Sequence, residues 1–400
     1  VFAASGKPAE WAWGACAAVG YALAALIART GWRRCREAAL AVSLAGAIAA
    51  PLGWQATFGR VVAIPDQAAL RVVTRAAVLL LRHGTPYLPA AQITHALGYN
   101  PYEPAMTIFG LPAAAGLPGA AGNPRLWMAV TTMAVLAGAF RLAGPGRALG
   151  RTAFAMGSPV LALPLTAGLT DPPVIALLTL TLACVLMRPA APRARLAAAI
   201  ALGAACAMKV TALPVLPVLA ALLAVRDGPR AAGRFVVSAG LTTGALIVAT
   251  APAALTKPAA LLQNTALFPL GLTRYQTQAA SPLPGHLLAS TGPAGRWAAI
   301  ALMCAACLAG LASLVVRPPA GSSAAAGRLA VWFAILFALA PASRWGYFAY
   351  PAAILGFVAM IGSRNPAWRY RAAPELARPA RAAQLCGAGA GLSMAVTQGS

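Results

Sequence analysis

Acidic residues are what this chain has least of. Its 400 residues hold 7 Asp and Glu against 31 Lys and Arg, a formal net charge of +24. Charged residues amount to only 10% of the chain, hydrophobic ones to 60%, and the mean hydropathy of +0.73 excludes an ordinary soluble domain. So much positive charge raises the question of nucleic acid. The arginines, however, sit in short clusters between apolar runs, with no basic stripe interleaved with aromatics. Nucleic acid is excluded as a partner, and membrane lipids with anionic head groups take its place. Cysteine is also sparse, and Cys16, Cys35, Cys184, Cys206, Cys304, Cys307 and Cys386 mostly lie inside apolar runs. No disulfide framework follows. The Cys304-Ala-Ala-Cys307 pair has redox or metal spacing, but without a second pair or a nearby His it reads as helix packing. No cofactor is expected, no divalent metal is indicated, and no Gly-rich phosphate loop is found.

What is abundant is apolar sequence in long runs. A bilayer-spanning helix needs about 20 mainly apolar residues, and the 33 prolines and 38 glycines are tolerated in such helices when the freed backbone groups find internal partners. Candidate spans cover 11–28, 38–54, 124–142, 153–167, 173–187, 195–208, 211–225, 235–252, 296–316, 327–342 and 346–363. The first lacks the basic leader and small-residue cleavage site of a secretory signal and reads as a helix. With loops assigned alternately, 20 of the 31 basic residues fall on one side, from Arg29 in the first loop to Arg381 in the tail. That side is expected to be cytoplasmic. The opposite side receives two long segments, 55–123 and 253–295, and turns near Asp171, Lys209 and Arg344. Within the first segment, Arg71, Arg75 and Arg82 share a helix face opposite Val72, Val73, Ala76, Val78, Leu79 and Leu80, which predicts an interfacial helix. The apolar stretch 104–119 reads as interfacial or re-entrant, because a crossing there would move Arg141, Arg147 and Arg151 outside. The expectation is an all-α polytopic membrane protein with about 11 transmembrane helices and interfacial helices in the first outer loop. Residues 1–37 form an extra N-terminal helix and basic loop, 38–363 the main domain, and 364–400 a basic cytoplasmic tail expected to be disordered.

Chemistry is sought among the few polar groups on the outer side. Its acids are Glu10, Asp66, Glu103 and Asp171. Asp66, in Ile64-Pro65-Asp66-Gln67, reads either as a general base for an attacking hydroxyl or as the N-cap of the following helix. Asp171, in Thr170-Asp171-Pro172-Pro173, has the same two readings, with proline at the first helical positions. Two turns, Gly84-Thr85-Pro86-Tyr87 and Gly98-Tyr99-Asn100-Pro101-Tyr102-Glu103-Pro104, suggest a shaped loop with aromatic surfaces. Lys209 interrupts the apolar stretch 205–214, which reads as a functional group or as a snorkelling side chain. Arg274 with Tyr275, His286, and Arg344 with Tyr347 and Tyr350 would complete a cationic, aromatic-lined cleft for a lipid-linked phosphate.

Taken in order, these motifs resemble the GT-C superfamily of polytopic glycosyltransferases. The likeness is greatest to glycosyltransferase family 87 and neighbouring actinobacterial mannosyltransferases that use polyprenyl-phosphate-linked sugars. It rests on the acid Asp66 and on the turn Gly84-Thr85-Pro86-Tyr87. Further matches are Tyr102-Glu103-Pro104, Ala207-Met208-Lys209-Val210-Thr211, and Ser343-Arg344-Trp345-Gly346-Tyr347, over about residues 38 to 363. Ala105 stands where the family has a second proline. The preponderance of Arg over Lys and the abundance of Ala fit a GC-rich bacterial genome. The resemblance implies a GT-C-like catalytic domain in a bacterial plasma membrane, its active site facing outward and its tail cytoplasmic. It implies transfer of a sugar, mannose first, from a polyprenyl phosphate to a glycan or glycolipid acceptor, with inversion. Asp66 would be the catalytic base, with Lys209 and Arg344 on the lipid phosphate. Tyr87, Tyr102, Glu103, Asp171, Arg274, His286 and Tyr347 would bind substrate. The alternatives are a transporter or flippase for lipid-linked oligosaccharide, which internal repeats would favour and none is seen, and a noncatalytic membrane partner.

Overall fold

The computed structural model describes residues 8–30, 34–58, 68–187, 191–254, 256 and 258–362. The secondary structure there is helical, and the only β-type contact is an isolated bridge between Ala280 and Ser343. The α-helices of seven residues or more are α1 (Pro8–Arg29), α2 (Cys35–Leu44), α3 (Ala50–Phe58), α4 (Ala68–His83), α5 (Pro124–Ala143), α6 (Ala148–Gly157), α7 (Pro159–Thr166) and α8 (Asp171–Met187). They continue as α9 (Pro192–Met208), α10 (Val215–Asp227), α11 (Pro229–Thr250), α12 (Pro284–Ser290), α13 (Pro293–Val316), α14 (Ser322–Leu339) and α15 (Ala349–Gly362). Among the described residues seven helical segments are long and apolar enough to cross a membrane: 10–29, 35–55, 124–143, 210–227, 229–250, 293–316 and 322–339. The protein is an all-helical, polytopic membrane protein.

The other four expected spans are also helical but shorter or divided. Segments 171–187 and 192–208 have 17 residues each, and α15 has 14. The expected span 153–167 is broken between α6 and α7 at Ser158-Pro159. Proline has no N–H to continue the ladder and suits the first position of a new helix. The break leaves carbonyls without intrahelical partners, and one of them, that of Gly157, accepts a 2.7 Å hydrogen bond from the Tyr21 hydroxyl of α1. A similar device joins α2 to α3. The ladder passes through a π-type turn, Ala45–Ala49, and the Trp13 indole donates to the Ala47 carbonyl at 2.9 Å.

The centre of the molecule is α8. Its sequence from Asp171 is apolar on every side, and nearly all its residues to Leu186 are buried, as an all-round hydrophobic helix requires. It packs between α5 and α9, and α9 in turn packs on α11. Helix α8 is thus a fixed strut with an acid at its first residue. The turn before it depends on Gly168, at φ +69°, a left-handed conformation that glycine adopts without strain; Leu169 then bonds back to the Pro164 carbonyl at 2.8 Å.

The first long segment folds around α4. As its spacing predicts, Leu70, Val72, Val73, Ala76 and Ala77 are buried while Arg71 and Arg82 are exposed. Its apolar face lies on the 3-10 stretch Pro104–Gly110, which with Leu111–Ala114 is too short to span a bilayer. The approach is close at Gly110, where a Cβ would lie 2.4 Å from the Val73 carbonyl oxygen. Gly110→Ala is therefore expected to lower stability by about 1–3 kcal/mol through overpacking. Gly138→Ala, at a position with open space, should be neutral or slightly stabilising in thermal melts of the detergent-solubilised protein.

Candidate active site

Five helix ends meet on one side of the bundle, and a cavity of ≈ 410 Å³ lies between them. They are the starts of α8, α10 and α15 and the ends of α9 and α14. Loop residues from the two long segments and the flank of α13 complete the wall.

At the start of α8, Asp171 does not use its carboxylate as a helix cap. Oδ1 accepts from the Lys209 ammonium at 2.5 Å and from the Tyr350 hydroxyl at 2.8 Å. The two charged side chains are 7% and 8% exposed. Lys209 comes to this place because α9 ends at Met208: Lys209 has extended backbone, φ −153° and ψ 131°, which turns its side chain toward α8. Thr211 donates to the Tyr350 hydroxyl oxygen at 3.2 Å, so each member of the cluster is held by another. A buried ion pair of this kind is favourable only with such geometry and additional hydrogen bonds. The rings of Tyr102 and Tyr347 stand 5.6 and 5.4 Å from the Lys209 nitrogen, within reach of a cation–π attraction.

Arg344 lines the same cavity. It follows Ser343, whose hydroxyl donates to the Phe337 carbonyl at 2.6 Å and whose carbonyl accepts from the Ser281 amide at 3.0 Å. The last turn is therefore tied to the second long segment at the position that presents Arg344. Among the described residues no carboxylate pairs with this guanidinium.

Of the residues expected in the site, Tyr102, Asp171, Lys209, Arg344 and Tyr347 meet at this cavity. Tyr87 stands behind it and donates to the Tyr102 carbonyl at 2.9 Å. Glu103 is next to the wall, its amide bonded to the Met208 carbonyl at 3.1 Å and its carboxyl to Thr265. His286 bonds the Pro341 carbonyl through Nδ1 at 3.0 Å and so supports the turn before Arg344. Arg274 is exposed and lies over its neighbour Tyr275 at 5.2 Å, away from the cavity lining. Asp66 lies outside the described residues. Among the described residues no three His, Cys, Asp or Glu side chains come together to hold a metal.

Sequence reasoning passed over Thr265 and the pair Asn100 and Asn264. Asn264 Oδ1 accepts from the Asn100 amide at 2.8 Å, and both residues are buried. Next to them the Tyr99 ring stacks on Phe268 at 4.3 Å. These contacts join the two long segments across 164 residues. The available signal was Asn264-Thr265 interrupting an apolar run.

Burial pushes the Glu103 carboxyl up to about 7, partly offset by its bond to Thr265. The folded state therefore binds a proton that the unfolded chain has released, and Glu103 favours folding below the ordinary carboxylate range. That contribution is lost as pH rises through 7. Thermal melts between pH 5 and 8 should show a fall in Tm that Glu103→Gln reduces; equal profiles would show that the carboxyl is not desolvated.

No family model matches the sequence, and no curated protein matches it. Among solved structures the chain is similar to the crystal structure of ArnT from Cupriavidus metallidurans in the apo state. The TM-score is 0.47 at 17% identity, over 80% of this chain and 62% of that one.

Proposed function

We propose that the chain is a membrane glycosyltransferase that moves a sugar, mannose by the family resemblance, from a polyprenyl phosphate to a glycan or glycolipid on the outer face. The observation that carries this reading is the two-sided character of the cavity. One end holds Asp171, Lys209 and Arg344 beside two tyrosines; the rest is walled by apolar groups such as Pro214, Phe268, Met303, Phe333 and Phe337. A hydrocarbon tail with a phosphate and a sugar at its end has the same division. A preorganised cation acts where negative charge collects as the bond to phosphate breaks, which is the task of Arg344, while Lys209 is held beside it by Asp171. Tyrosine rings offer sugar-facing surfaces at Tyr102 and Tyr347.

In the reaction the acceptor hydroxyl loses its proton to a carboxylate, Asp66 by the resemblance. Its oxygen bonds to the anomeric carbon as the bond from that carbon to the phosphate oxygen breaks, and the polyprenyl phosphate leaves with the electron pair. One base suffices for such an inverting displacement. The distribution of arginine supports the outward orientation: Arg195 and Arg226, paired with Asp227 at 3.0 Å, lie at the opposite ends of α9 and α10. The residues 38–363 form the catalytic domain in this reading.

The test is transfer of label from radiolabelled polyprenyl-phosphate mannose into lipid or glycan by membranes containing the protein. Transfer above that of membranes lacking it supports the enzyme. Movement of the labelled donor across sealed vesicles without any transfer would replace it with a transporter.

A further inference from the structure

The three formal charges that line the cavity, Asp171, Lys209 and Arg344, are not equivalent. The first two are locked together at 2.5 Å and buried, with Tyr350 on the same carboxylate oxygen. Arg344 has no carboxylate partner among the described residues. Among the described residues lining the cavity they leave one positive charge, that of Arg344. The start of α8 adds little further anion affinity, because Pro172 and Pro173 remove two of the amide donors of its first turn, and what dipole remains favours Asp171 as the anion.

We infer that Asp171 sets the charge preference of the cavity: by neutralising Lys209 it leaves Arg344 as the one uncompensated cation among the described residues, matched to a singly charged phosphodiester and poorly matched to a doubly charged phosphate monoester. This rests on the lipid-phosphate reading above and adds a specificity determinant to it. A sugar linked through a phosphate is a diester with one negative charge. The phosphate released by transfer is a monoester that carries between about 1.5 and 2 negative charges at neutral pH. A site with two free cations would hold the product more tightly than the donor, and turnover would be limited by release. Pairing Lys209 with Asp171 avoids this while keeping the lysine in place beside Tyr102 and Tyr347. Asp171 is in this sense a positioning and charge-setting residue, and no contact with the reacting atoms is required of it.

The experiment is calorimetric titration of the full detergent-solubilised chain at pH 7.5 with two probes, farnesyl phosphate as the monoester and its methyl ester as the diester. Glu103 does not line the cavity and is common to every variant compared. Asp171→Asn removes the neutralising charge. At an effective dielectric constant near 20 and a separation on the order of 10 Å, each unit of ligand charge then gains roughly tenfold in affinity. Binding of the diester should tighten about tenfold and of the monoester about 100-fold. The double variant Asp171→Asn with Lys209→Met restores one positive charge and avoids an isolated buried ion. Both probes should then bind within about threefold of wild type, and this arm stands even where the single variant folds poorly. An unchanged ratio of monoester to diester affinity in Asp171→Asn would overturn the inference, as would loss of both probes by the double variant, which would put Lys209 directly on the phosphate. Failure of the wild type to bind either probe would overturn the lipid-phosphate reading itself and this inference with it.

Discussion

Asp66→Asn is expected to reduce sugar transfer by about 10² to 10⁴-fold while leaving donor affinity close to that of wild type. The range is that of a positioned general base in proton transfer. Asparagine keeps the shape of the side chain and can still accept at an N-cap, so a structural role for Asp66 would survive the substitution and a catalytic role would not. The measurement compares single-turnover rates and donor binding at matched protein levels. A slow rate with unchanged donor binding identifies the base, because the interaction lost is then one made only in the transition state. Wild-type rates in the variant would clear Asp66 and direct attention to Glu103, whose carboxyl sits against Thr265 at the cavity wall. A loss of donor binding together with rate would place Asp66 among the residues that shape the site.

The second large effect concerns stability. Lys209→Met should destabilise the protein by about 3–5 kcal/mol, because it leaves the buried Asp171 carboxylate without its counter-charge. The Tyr350 hydroxyl, at 2.8 Å, remains as a donor but brings no charge. Adding Asp171→Asn to this variant should recover most of the loss, since a neutral amide at the same place can still accept from Tyr350. Thermal unfolding of the two variants in the same detergent decides the matter. A double variant as unstable as the single one would mean that Lys209 contributes through packing on Tyr102 and Tyr347. A single variant as stable as wild type would mean that water reaches the pair.

How far the sequence discloses this arrangement depends on whether a feature is local. The amphipathic spacing of Arg71 and Arg75 against Val72, Val73 and Ala76 is local, and α4 appears where that pattern places it. The break at Ser158-Pro159 is written locally as well, but hydropathy averages over it, so 153–167 reads as one helix. For Asp171 and Lys209 the residue types mark them as exceptional, whereas their mutual contact is tertiary: they are 38 positions apart, and only the packing of α8 on α9 brings them together. The opposite failure is Arg274. Its charge and its neighbour Tyr275 give it the same sequence signature as Arg344 with Tyr347, yet it points to the surface, and nothing in the local pattern distinguishes the two. Thr265 was silent for a third reason, since an uncharged hydroxyl in a long loop carries no signal until a carboxyl is seen beside it.

The pairing of Asp171 with Lys209 also bears on the order in which the chain enters the membrane. Helices α8 and α9 are consecutive, so an acid at the start of one and a lysine after the end of the next emerge at the same membrane face as a hairpin. Each charge carried separately into the apolar layer costs about 2.5–3.5 kcal/mol at the depth where insertion is hardest. Together they enter as a neutral unit. Tyr350 follows 179 residues after Asp171, and Arg344 shortly before it. The hairpin of α8 and α9 thus carries an acid and a base that satisfy one another, and the cation left for an anion comes from a part of the chain inserted later.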